Sequence, residues 1–201
     1  MENLHLIVGL GNPGAEYAQT RHNAGCSLVE KLAARWKVNW RSERKFNARL
    51  ARARRDGQRV LLCQPQTFMN ASGKAVKAVL HFYQLPPERL LVAVDDADLP
   101  LGEVRLRASG SSGGHHGLES VGQHLGTREF ARLRLGIGRK AGAREITDYV
   151  LDRFNAAEAA LLEKVLDRAA DQAECWLDDG IETAMNRFNG VVDSANEERK
   201  P

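Results

Sequence analysis

The side chains in this sequence best suited to chemistry fall in three polar, glycine-rich stretches: Gly11 to Asn23, Gln64 to Gly73 and Val94 to Gly117. The first carries Asn12 and His22, the second Asn70, the third Asp95. An imidazole titrates near pH ~6.5, so a neutral ring can take a proton from water under ordinary conditions. A carboxylate that accepts from its other nitrogen fixes the tautomer and raises the basicity of the free one. His22 stands just before a periodic apolar segment, and Asp95 directly follows the apolar run Leu90 to Val94. Both positions are strand-end loops, where open α/β sheets gather ligands. Spacing alone leaves the pair evenly balanced between a catalytic dyad and two surface residues.

Other chemistries fit less well. Gly9-Leu10-Gly11-Asn12-Pro13-Gly14 has the spacing of a dinucleotide fingerprint, but the helical period begins only near Ala24 instead of at the third glycine. Glu30, the nearest acidic residue for a ribose, would lie inside that helix. There is no G-x-x-x-x-G-K-[ST] loop, and no serine or cysteine nucleophile with an evident partner. The three cysteines, Cys26, Cys63 and Cys175, show neither zinc spacing nor a disulfide framework. No metal and no cofactor are expected.

The elements that must position these loops can be read from periodicity. Leu4 to Leu10 is a buried strand running into a tight loop, and Ala24 to Lys37 is an amphipathic helix. Asn47 to Arg54 and Arg59 to Cys63 form a hairpin about Asp56-Gly57, and Asn70 to Tyr83 is a helix ended by Pro86-Pro87. Leu90 to Val94 is a second buried strand, cut off by the acidic loop from Asp95. Glu103 to Arg107 and Phe130 to Ile137 alternate as strands, with a helix from Leu118 to Leu125 between them. Asn155 to Phe188 reads as one or two long amphipathic helices with Asn155 as N-cap. The fold class is α/β: a single three-layer α/β/α domain with a mixed central sheet and C-terminal helices. Residues 1–190 make up that domain, and 191–201 form a polar tail expected to fray.

Three longer motifs point further. Ile7 to Tyr17 followed by Thr20-Arg21-His22-Asn23-Ala24-Gly25 is one, and Gln64-Pro65-Gln66-Thr67-Phe68-Met69-Asn70-Ala71-Ser72-Gly73 is another. Asp95-Asp96-Ala97-Asp98-Leu99-Pro100-Leu101-Gly102 with Gly113-Gly114-His115-His116-Gly117-Leu118 is the third. In order and spacing they resemble the signatures of bacterial-type peptidyl-tRNA hydrolases, through Phe154. The resemblance implies an esterase that frees tRNA and peptide from peptidyl-tRNA, with His22 as general base, Asp95 as its carboxylate and Asn12 reading the substrate's N-blocked end. It implies that Asn70 positions the substrate, and that Tyr17 and Phe68 contact the terminal nucleotide or the peptide. It implies a lid near Arg139 to Val150, and Arg107 and Arg134 on the tRNA backbone. His116 departs from the pattern, which usually has asparagine there to hold the tRNA end and the reactive water. A catalytically silent RNA-binding relative is the alternative, with His116 its only support.

Composition is compatible with this. Net charge is +3, with 43% hydrophobic and 27% charged residues, a mildly basic globular chain. Cations cluster at Arg41 to Arg55 and again from Arg105 to Arg144, which charge alone would assign to solvated strand faces. No apolar run approaches the ~20 residues that span a bilayer, and Met1-Glu2-Asn3 leads into a strand without a signal pattern. A cytoplasmic monomer acting on peptidyl-tRNA, with no membrane partner, is expected.

Overall fold

The computed structural model describes residues 4–55, 57–138 and 146–192. Among the described residues eight strands form one sheet in the order β2-β3-β4-β1-β5-β7-β6-β8. These are β1 (Leu4–Gly9), β2 (Arg41–Glu43), β3 (Ala48–Arg55), β4 (Gln58–Pro65), β5 (Leu90–Asp96), β6 (Glu103–Arg107), β7 (Ala131–Gly136) and β8 (Gly190–Val191). The centre, β4-β1-β5-β7, is parallel, and both flanks are antiparallel. The mixed sheet expected from the hairpin is therefore present.

The central strands bury both faces, which is why they read as continuous apolar runs. Ile7, Leu91 and Ala93 pack on one side with α1 (Ala24–Arg35) and α5 (Ala156–Phe188). Leu6, Val8, Leu90, Val92 and Val94 pack on the other with α2 (Ser72–Tyr83) and α3 (His116–Leu125). Two glycines bring the N-terminal end of α1 down onto the sheet. A Cβ at Gly25 would collide with the Ala93 carbonyl, and one at Gly9 with the Gly25 carbonyl. Helix α1 ends at Arg35, two residues earlier than its periodicity suggests, because Lys37 adopts a left-handed conformation at φ 53°. Helix α5 is two helical segments that meet at a kink at Gly180, whose φ is 83°. Its start is a capping box. The Asn155 side chain accepts from the Glu158 amide at 2.9 Å while Glu158 accepts from the Asn155 amide at 2.9 Å.

Several boundaries differ from expectation. Strand β5 continues through Asp95 and Asp96, paired with Leu135 and Gly136, so Asp95 belongs to the strand and not to the loop after it. Helix α2 starts at Ser72 behind a 3-10 turn, Met69–Ala71, which holds Asn70. Helix α3 starts at His116, earlier than expected, because His115 caps it. The short elements β2, β8 and α4 (Ile146–Leu151) carry no periodic signal long enough to read. Strand β8 lies where the tail was expected to fray, Val191 pairing with Glu103. Residues 193–201 lie outside the described residues, as do 139–145 of the expected lid.

Candidate active site

The first loop is locked before it reaches His22. The Asn12 amide donates to the Asn23 side-chain oxygen at 2.9 Å, and Asn23 Nδ2 donates to the Asn12 carbonyl at 3.0 Å. That reciprocal pair ties the loop after β1 to the 3-10 turn Arg21–Asn23, which carries His22 into α1. The Met69 amide then donates to Asn12 Oδ1 at 2.9 Å. An amide hydrogen requires an oxygen there, so the Asn12 side chain is oriented with its Nδ2 group as the free donor.

His22 and Asp95 meet. His22 Nδ1 lies 3.0 Å from each carboxylate oxygen of Asp95. The sequence reading overlooked a third member, His115, whose Nε2 is 3.1 Å from Asp95 Oδ1. His115 Nδ1 accepts the Gly117 and Leu118 amides at 3.1 and 3.3 Å as the N-cap of α3. An Nδ1 with two amide donors has no proton, so the neutral ring carries it on Nε2 and donates to Asp95. The carboxylate is then shared by two imidazole donors, and His22 Nε2 is left free to accept. The His22 side chain is 13% exposed while that of Asp95 is 3% exposed, so the imidazole reaches solvent and its partner does not. Burial alone would raise the Asp95 carboxyl's pKa, but the opposing pull of His115 and His22 outweighs it and holds the group well below the usual carboxylate range.

A stability prediction follows from that depressed value. Stabilisation from ionised Asp95 is fully present above the unfolded carboxyl's pKa of ~3.9 and is lost as pH falls from there toward the folded value. The urea midpoint of wild type should therefore exceed that of Asp95→Asn at pH 6, and the gap should shrink between pH 5 and 3. A gap that is constant over that interval would contradict an ionised, paired Asp95.

Asn12, His22, Asp95, His115, His116 and Arg134 share one cavity of about 340 Å3, walled on one side by Ile146 and Val150 of α4. His116 is at the margin, its side chain 68% exposed and its Nδ1 3.8 Å from Glu119 Oε2. Phe68, 62% exposed, and Asn70 flank the Met69 amide that holds Asn12 but do not line the cavity. Tyr17 also lies outside it, its carbonyl accepting the Thr20 hydroxyl at 2.8 Å. Arg107 is exposed on β6. Arg134 is engaged within the protein, with Nη1 2.9 Å from Asp96 Oδ2 and Nη2 donating to the Ser111 and Ser112 carbonyls at 2.9 and 3.1 Å.

A larger cleft of about 900 Å3 lies across Asn12, between the first loop, α1 and α5. Its charged groups are paired, Lys31 with Glu163 and Glu30 with Arg49, so it offers no free base. Cys26 lines it, but burial, with Glu30 adding to it, pushes that thiol up to about 12, which leaves no thiolate nucleophile.

The family model described as peptidyl-tRNA hydrolase matches residues 6–198. A peptidyl-tRNA hydrolase of Synechococcus sp. (strain JA-3-3Ab) is 50% identical over 186 residues, 92% of this chain and 83% of that one. One of Brevibacillus brevis is 45% identical over 188 residues, 94% of this chain and 99% of its own length. The crystal structure of peptidyl-tRNA hydrolase from Acinetobacter baumannii superposes with a TM-score of 0.89 at 38% identity, covering 96% of this chain and 97% of the other. With matches of this extent, and with the three signature loops assembled around one imidazole–carboxylate pair, the chain belongs to the peptidyl-tRNA hydrolase family.

Proposed function

We propose that His22 is the general base of this hydrolase, taking a proton from the water that attacks the ester of peptidyl-tRNA. The observation that carries the reading is the Asp95 carboxylate, buried and bonded to Nδ1, which leaves Nε2 as the acceptor facing the cavity. An ester between a peptide carboxyl and a ribose hydroxyl is activated relative to an amide, so a positioned base and a few donors suffice. His22, Asp95 and His115 have the composition of a metal site, with ligand atoms within 4.8 Å of one another. The proton on His115 Nε2 favours the hydrogen-bonded reading, since a ligating Nε2 would leave that ring without a proton on either nitrogen. The pH dependence of kcat/KM tests the assignment. Activity should rise with pH through one group, and that acid limb should be absent from the residual activity of His22→Ala.

Asn12 was expected to donate and accept at the substrate's N-blocked end, and its geometry narrows that role. With Oδ1 held by Met69, the free Nδ2 group suits an acyl carbonyl oxygen. A free α-ammonium would oppose donor to donor and leave that amide unpaired, a penalty that supports selection of N-blocked substrates. Asn70, Phe68 and Tyr17 are proposed to contact the terminal nucleotide or the peptide beside the cavity. A silent RNA-binding relative is not favoured, because the base, its carboxylate and Asn12 are joined in one network. Among the described residues no helix is long and apolar enough to cross a membrane. A monomer working in the cytoplasm without a metal completes the proposal.

The two arginines expected on the tRNA backbone should behave differently. Arg107→Ala should raise KM for tRNA substrates and reduce its salt dependence, because a phosphate contact releases counterions. A short ester lacking the tRNA body should be indifferent to that change. Arg134→Ala should cost both substrates alike, because its guanidinium holds the Ser111–Ser112 loop against Asp96. Selective loss on tRNA in Arg134→Ala would show that the internal bonds yield to phosphate.

His116→Asn should preserve or raise activity near neutral pH. At the margin of the cavity a neutral imidazole offers one donor and one acceptor, as an amide does, with a different reach. A severe loss of kcat/KM in His116→Asn would show that the neighbouring residues have adapted to imidazole.

A further inference from the structure

Next to the base lies an arginine that touches no part of the cavity. Arg21 is 4% exposed, and both terminal nitrogens of its guanidinium are hydrogen-bonded. Nη1 donates to the Arg153 carbonyl at 2.8 Å, and Nη2 pairs with Glu158 Oε2 at 2.7 Å. Its Cζ lies 4.5 Å from the centre of the Tyr149 ring and 5.1 Å from that of the Phe154 ring. Its backbone amide donates to the Asp152 carbonyl at 3.0 Å, and Thr20 forms a bridge with Arg153. The turn bearing His22 is thus bonded to the chain that runs from α4 into α5.

The partners are themselves fixed. Tyr149, on α4, donates its hydroxyl to the Ile137 carbonyl at 2.9 Å. Glu158 Oε2, which receives Arg21, also receives the Asn155 amide of the α5 capping box. Ile146, about one turn before Tyr149 on α4, and Val150, next to it, line the cavity that His22 also lines. A guanidinium that bonds two separate acceptors while resting on two aromatic rings is a joint that a lysine cannot reproduce. The joint costs something, because Arg21 Nε is buried without a hydrogen-bond partner.

We propose that Arg21 is a positioning residue for hydrolysis. It seats the His22 turn against α4 and the start of α5, so that the base and the cavity wall hold one fixed relation. The proposal rests on His22 being the base. Asp95 sets the ring from the Nδ1 side, and Arg21 sets the backbone from below. Misplacement by about 1 Å can cost ~10²-fold in a positioned reaction, so even a small slip of this turn should be visible in kcat.

The test compares Arg21→Lys, Arg21→Gln and Glu158→Gln with wild type and His22→Ala on N-acetyl-aminoacyl-tRNA. Rates are expressed per folded molecule. Glu158→Gln keeps an acceptor for the Asn155 amide and removes the charge facing Arg21, so it probes the joint even if Arg21→Gln folds poorly. Expected are kcat losses of about tenfold to a hundredfold in Arg21→Gln, partial rescue in Arg21→Lys, and a smaller loss of the same kind in Glu158→Gln. KM for the tRNA should stay within about twofold, since no binding contact is removed. The acid limb of the pH profile should move to lower pH, because a loosened turn weakens the contact between His22 and Asp95. A merely structural arginine would lower the unfolding midpoint and leave kcat and the acid limb of the folded enzyme unchanged, and that result would overturn the proposal. If His22→Ala itself stays within about tenfold of wild type, the base assignment fails, whatever the Arg21 variants do. If His22→Ala is inactive and the Arg21 and Glu158 variants match wild type, only the positioning role fails.

Discussion

His22→Ala should lower kcat/KM on N-acetyl-aminoacyl-tRNA by ~10²–10⁴-fold, the usual worth of a positioned acid–base group. Its fold should survive, because the ring contributes to neither apolar core cluster and its neighbours hold the turn without it. Those neighbours are the Asn12–Asn23 pair and the Arg21 joint. Circular dichroism and the unfolding midpoint should therefore stay close to wild type. The loss should appear equally on a short N-blocked aminoacyl ester, since the missing group acts on the reacting water and not on the tRNA body. A decrease smaller than about tenfold would remove His22 from the role of base, and a loss confined to tRNA substrates would make it a binding residue.

Asp95→Asn is expected to cost nearly as much, which a simple dyad would not suggest. In wild type the carboxylate accepts from two rings at once, His22 Nδ1–H and His115 Nε2–H. An amide in its place has one oxygen and one NH2 group, so at one ring a donor must face a donor. The His115 tautomer is held by the Gly117 and Leu118 amides, so that ring keeps its claim on the oxygen. His22 is then driven to the tautomer with its proton on Nε2, where it cannot act as base. The expected loss in kcat is ~10²–10⁴-fold. Removing the negative charge should also lower the apparent pKa of whatever activity remains, because a carboxylate favours the protonated imidazole. Retention of more than a tenth of wild-type kcat, or an unmoved acid limb, would mean that Asp95 does not govern the His22 ring.

The difference between dyad and trio shows what a linear chain reveals. His22, Asp95 and Asn12 stand out as polar residues in glycine-rich stretches beside apolar runs, but spacing leaves the His22–Asp95 pair evenly balanced and the three-motif resemblance assigns the roles. His115 was passed over in favour of its neighbour, although the adjacent histidines have opposite fates. The side chain of one is 8% exposed between a carboxylate and two amides, and that of the other is 68% exposed. Its signal was local, a polar residue just ahead of a helix start, but histidine is an uncommon N-cap and the pattern was not weighed. The resemblance places Arg134 on the tRNA backbone, and only the fold shows Asp96 beside it, 38 positions away. The architecture was more legible than the joints. Strands buried on both faces and a capping box at Asn155 carry long-range and local cues together, whereas β2, β8 and α4 are two to six residues long and exist through pairing or packing alone.

One measurement bears on the whole account. Wild type and His22→Ala are assayed together for release of the acylated amino acid from N-acetyl-aminoacyl-tRNA, beside the same tRNA carrying a free α-amine. The account predicts rapid release from the blocked substrate by wild type and little from the unblocked one, since Asn12 finds a carbonyl oxygen only on the first. His22→Ala should fall by at least ~10²-fold on the blocked substrate. Equal rates on the two substrates, or a His22→Ala enzyme that keeps pace with wild type, would contradict it.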